Sequence, residues 1–133
     1  MKKTLLLAAA LACSGAVAQE KQVWACQMVS STMLSWENNT WRPYSVIPYN
    51  ILFTINADNT GSAKRSDDDY VSRLTCKLPY IPSHYSCLTP SLAAHYLFSP
   101  DEGKLGISTL YGAISTSGNR DSVNAEIFNC TKF

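Results

Sequence analysis

Ala94-His95-Tyr96-Leu97-Phe98-Ser99-Pro100-Asp101-Glu102-Gly103-Lys104-Leu105-Gly106-Ile107-Ser108-Thr109-Leu110-Tyr111 reads as one β-hairpin. Tyr96 and Phe98 fall on one side of a period-two segment. Pro100 to Gly103 supplies the turn, and Lys104 to Tyr111 brings the chain back. A helix would need apolar residues three and four apart between a cap and a stop signal, and this stretch has neither.

The same period recurs outward from this hairpin. Gln22 to Val29 is rich in β formers. Tyr49 to Asn56 sets Ile51, Phe53 and Ile55 against Leu52 and Thr54, and Ala57 to Gly61 then reads as a turn before the small polar stretch Ser62 to Ser66. Tyr70 to Leu78 and His84 to Leu88 are further strand candidates. The last, Ser122 to Lys132, sets Val123, Ala125 and Ile127 opposite Phe128 and Cys130. Pro90 to Tyr96 has room for two helical turns at most. Eight or so short strands with frequent turns predict an all-β fold, a small antiparallel β-barrel of meander type or a β-sandwich. Short connections favour the meander, and closure would bring the first and last strands together.

The N-terminus has the order of an export signal: Lys2 and Lys3, an apolar run from Leu5 to Ala12, and the small-residue cleavage site Ala16-Val17-Ala18 before Gln19. The expected organisation is a signal peptide over 1–18 and one secreted β domain over 19–133, in the periplasm or beyond. The apolar run is too short for ~30 Å of hydrocarbon, and no later segment is long enough and uncharged enough to span. Ala10-Leu11-Ala12-Cys13 partly resembles a lipobox, which would put a lipid anchor on Cys13. Ala10 stands where that motif has Leu, and the Ala18 site is the better one.

The formal charge of +1 drops by two when Lys2 and Lys3 leave. A near-neutral domain without a basic run is a poor partner for nucleic acid or anionic membrane. Asp67-Asp68-Asp69 reads as a solvated loop. It lacks the spaced oxygen ligands of a calcium site, and no metal or cofactor is expected.

Beyond the signal, four cysteines remain, an even number in an exported domain, which reads as two disulfides. Cys76 and Cys87 lie symmetrically about Tyr80 to Ser83, so a hairpin there would set them opposite each other. Cys26 and Cys130 would then seal first strand to last. The rival pairing, Cys26 with Cys76 and Cys87 with Cys130, stays open, because spacing does not fix connectivity. The cysteines have neither zinc-site spacing nor a Cys-x-x-Cys pair.

Nothing in the chain marks an enzyme. No Gly-x-Ser-x-Gly elbow occurs, and pairing leaves no cysteine free to attack. His84 and His95 read as a turn residue and a strand residue beside Tyr96. Glu37, Glu102 and Glu126 have no context that singles them out as paired carboxylates.

Two stretches carry the binding expectation. Trp36-Glu37-Asn38-Asn39-Thr40-Trp41 is a four-residue turn flanked by tryptophans that would face each other across a hairpin, with Arg42 and Tyr44 just beyond. These types dominate binding hot spots. The second, Leu110 to Asp121, includes Tyr111, Asn119 and Arg120, and its small polar half reads as a long loop on a rigid scaffold. The layout resembles small disulfide-stapled periplasmic β-barrels, a broad set that includes lysozyme inhibitors and immunity proteins. That resemblance covers architecture and implies a non-enzymatic module that binds another periplasmic or extracellular protein. The alternative is a carrier of a small apolar or sugar ligand, opposed by Phe53, Tyr96, Phe98, Tyr111 and Phe128, which would fill a small barrel.

Overall fold

The computed structural model describes residues 20–78, 83–91, 93–111 and 121–133. They form nine strands: β1 (Gln22–Glu37), β2 (Thr40–Tyr44), β3 (Asn50–Ile55), β4 (Thr60–Arg65), β5 (Val71–Lys77), β6 (Tyr85–Leu88), β7 (Ala94–Ser99), β8 (Lys104–Tyr111) and β9 (Ser122–Lys132). All pairings are antiparallel. The order runs β2-β1-β3-β4-β5-β6-β7-β8-β9, and β9 returns to pair with β1. Eight strands thus close a meander barrel, with β2 added beside the far half of β1. Closure removes the unpaired edges that an open sheet would present.

β1 holds this arrangement together. Its first half pairs with β3 and its second with β2, both in one register: Gln27 lies opposite Asn50 and Met33 opposite Tyr44. The ladder breaks over 45–49, which includes Pro48, a residue with no amide hydrogen to donate. On its other edge β1 follows β9 from Trp24 to Ser35, with a bulge between Met28 and Ser30. Before the bulge Trp24, Cys26 and Met28 point inward. After it the inward set becomes Ser31, Met33 and Ser35, because one extra residue inverts a period of two. The tip of the β1–β2 hairpin is a two-residue turn, with Asn38 at φ 50° and Asn39 at φ 61°. Asparagine tolerates this left-handed region, and two such residues in a row make the hairpin turn whose twist suits the strands. The four-residue turn expected between the tryptophans is therefore shorter, since Glu37 and Thr40 still pair.

The strands β7, β8 and β9 keep the bounds read from the sequence. β4 is the strand the sequence did not announce. Its inward residues Gly61 and Ala63 carry little hydrophobic signal, yet their smallness is what the site demands. A Cβ on Gly61 would stand 2.8 Å from the Thr54 carbonyl oxygen and 3.1 Å from Cys76 Sγ. A larger residue would push into the β3 backbone and the disulfide.

The barrel interior packs around Phe53, Phe98 and Phe128, all fully buried, with Leu105, Ile55, Leu74, Tyr85 and Trp24. Trp24 meets Phe98 edge to face at 5.0 Å between ring centroids, and Tyr96 stacks on Phe53 at 6.3 Å. The expectation that these rings fill the barrel holds for this half; the Tyr111 side chain lies outside the description. Both disulfides join residues directly opposite in neighbouring strands, Cys26–Cys130 across the β1–β9 seam and Cys76–Cys87 across β5–β6. Two disulfides are consistent with an oxidising, exported compartment. The signal sequence, Cys13 and Tyr80 to Pro82 lie outside the described residues.

Candidate functional site

Toward the turn of the β1–β2 hairpin, the inward positions change character. Arg65 on β4, Ser72 on β5, Thr109 on β8, and Asn124 and Glu126 on β9 replace the apolar residues found deeper in the barrel, with Tyr49 and Tyr96 between them. Together they line a cavity of about 280 Å³. Glu126 is only 3% exposed. Its carboxylate accepts a hydrogen bond from Tyr49 Oη at 2.6 Å and one from Asn124 Nδ2 at 3.3 Å. Among the described residues, no cationic side chain forms an ion pair with it. The Oδ1 of Asn124 is buried, and none of the described residues donates a hydrogen bond to it.

Burial pushes the Tyr49 phenol well above its ordinary value, and donation to the Glu126 carboxylate pushes it the same way. Tyr49 therefore stays a proton donor at any physiological pH. Burial raises Tyr96 too, against a lowering by its hydrogen bond to Ser72. Arg65 lies over the Tyr49 ring, 3.6 Å from its centroid, while its guanidinium donates to both oxygens of Asp67 at 2.9 and 2.7 Å. That fork holds the Asp67 carboxyl below the usual range and raises Arg65. The two other acidic residues of the run are also exposed: Asp68 accepts from the Tyr70 amide, and Asp69 lies 3.8 Å from Lys64 Nζ. A broader depression of about 870 Å³ lies on the outer wall between Ala25, Leu52, Lys64 and Thr131 and is open to solvent.

Beyond this cup, β2, β1, β9 and β8 continue as a projecting sheet. Trp36 and Trp41 face each other as expected, edge to face at 5.3 Å. They lie on the outer side, next to a cross-strand row of Pro43, Leu34, Val123 and Leu110. Trp41 is 39% exposed, Leu34 41% and Leu110 63%. Arg42 and Tyr44, grouped with the tryptophans in the sequence, alternate to the opposite face. Arg42 lies opposite Ser35 and Tyr44 opposite Met33, on the side that continues into the barrel interior. Tyr111 sits opposite Ser122 on the same projecting sheet. Asn119 and Arg120 lie outside the described residues.

The histidines are kept apart. His95 is on the outer wall, hydrogen-bonded through Nε2 to Ser86 at 2.8 Å, and His84 Nδ1 is 3.1 Å from Ser83 Oγ. Among the described residues, no three His, Cys, Asp or Glu side chains converge as a metal site would require. The buried polar cluster escaped the sequence because its members come from five strands. Glu126 at an inward position of a buried strand was the one available signal. No family model, curated protein or solved structure matches the chain.

Proposed function

We propose that this is a small exported, non-enzymatic protein-binding module of inhibitor or immunity type, and that the outer face of the projecting sheet is its contact surface. The observation that carries this reading is the cross-strand row of Pro43, Leu34, Val123 and Leu110, flanked by the partly exposed Trp36–Trp41 pair. Contiguous exposed apolar surface on a small domain is unusual, and tryptophans at such a surface anchor partners. The pair is carried by a closed, disulfide-linked barrel, so little ordering entropy opposes association. The partner is another periplasmic or extracellular protein.

The test is site-specific crosslinking in the exported protein. A photoreactive side chain at Leu34 should capture one defined partner, while the same group at Val71 on β5 should not, and Trp41→Ala should abolish the product. Equal capture from both positions, or none from Leu34, would refute the reading. Intact mass of the exported chain should place its N-terminus at Gln19 rather than at a lipidated Cys13.

A further inference from the structure

We infer that the cup at the open end of the barrel binds a small organic cation, a primary ammonium group received by the Glu126 carboxylate and Asn124 Oδ1 beneath aromatic walls. The cup demands donors. A carboxylate has about four lone-pair positions for hydrogen bonds, and among the described residues two donors reach Glu126. None reaches Asn124 Oδ1. An unsatisfied buried acceptor costs about 1–3 kcal/mol, so a ligand that satisfies both groups recovers free energy on binding.

An ammonium group fits this chemistry because it brings three donors and no acceptor. A carboxylate or phosphate would set like charge against Glu126, and a saturated hydrocarbon would leave both acceptors unpaired. Tyr49 and Tyr96 line the same cavity, and the Arg65 guanidinium over the Tyr49 ring shows that this wall accepts a cationic group. Arg65 lines the cup and lies over the Tyr49 ring, but Asp67 takes its Nε and Nη2, and among the described residues it makes no ion pair with Glu126. The Asp67 carboxylate paired with Arg65 offsets its charge at the mouth. The inference is independent of the protein-binding reading, because the cup opens on the face of the projecting sheet opposite Trp36 and Trp41.

The ammonium has two possible sources, a free amine or a lysine side chain presented by a partner. Two probes separate them: butylammonium chloride, and a blocked Gly-Lys-Gly peptide, each titrated into the labelled domain while backbone amide and Asn124 side-chain NMR signals are followed. Saturable shifts at Asn124, Glu126 and Thr109 are expected with one or both, and none with butanol or butyrate. Tighter binding of the peptide would assign the site to a partner's lysine, and tighter binding of butylammonium to a free amine. Glu126→Gln, which keeps the shape and removes the charge, should weaken binding at least tenfold. If that variant does not fold, Asn124→Leu should weaken it severalfold. Shifts of equal size with butanol, no saturable shifts with either amine, or unchanged affinity in a folded variant would overturn the inference.

Discussion

The two halves of the barrel interior are built by the same strands and differ in what those strands point inward. In the packed half, β3, β7, β8 and β9 contribute Phe53, Phe98, Leu105 and Phe128, all without solvent exposure. One or two steps along β7, β8 and β9 the inward residues are Tyr96, Thr109 and Glu126, and Tyr49 joins them from the segment just before β3. Alternation is unbroken along β8 and β9, so the change is one of chemistry and not of backbone. The packed half supplies stability through burial. The open half gives some of it up to hold a desolvated carboxylate and an unpaired amide oxygen, groups that a structural core would exclude.

This contrast is easiest to break at the seam. Replacing both Cys26 and Cys130 with serine opens a link spanning 104 residues, for which loop-closure entropy gives a loss of ~4.7 kcal/mol. Denaturant unfolding should show it, and a loss below ~1 kcal/mol would mean that the β1–β9 ladder closes the barrel unaided. In the packed half, Phe98→Ala should cost ~3–5 kcal/mol and lower the melting temperature. The matching change in the open half, Tyr49→Phe, removes one hydrogen bond to a carboxylate and should cost ~1.5–3 kcal/mol. Equal losses at the two sites would erase the distinction between the halves.

Alkaline pH sharpens the comparison. Tyr49 is raised in the folded protein from an ordinary value of 10.0. Its contribution is therefore complete below pH 10. Above that, the unfolded chain loses the proton that the folded chain keeps, and stability falls as pH rises. Unfolding free energy should decline above pH 10, and Tyr49→Phe should flatten that decline. An identical slope in the variant would show that Tyr49 titrates freely. The smallest effect belongs to the projecting sheet: Trp41→Ala should cost only ~0.5–1.5 kcal/mol of stability while abolishing partner capture. A loss near that of Phe98→Ala would make the tryptophan pair a part of the core.

The strands were legible where both faces carry a hydrophobic signal. β7 through β9 show period-two patterns bounded by turn residues, and their ends match the structure. β4 was hidden because small residues at its inward positions, Gly61 and Ala63, look like loop. The second half of β1 was hidden by the bulge at Val29, which inverts the alternation that a continuous strand would show. For the candidate site, the sequence set both tryptophans opposite each other, as the structure does, and grouped with them Arg42 and Tyr44, which the strand turns to the other face. Neighbours in a strand point to opposite faces, so proximity along the chain separated these groups in space. The buried cluster of Tyr49, Glu126 and Asn124 was legible only as a Glu at an inward strand position, since the hydrogen-bonded pair Tyr49 and Glu126 is 77 residues apart.

By itself, the sequence determined an all-β chain with an even set of four cysteines beyond the signal, because side-chain alternation is a local property; which cysteines pair was decided by the fold. Tertiary structure alone decided between barrel and sandwich, since closure depends on β9 meeting β1, a pairing no local pattern encodes. It also decided that Glu126 is a buried acceptor with lone pairs to spare. The surroundings of a carboxylate are set by whatever the fold brings across the interior, and here those groups arrive from the far side of the barrel.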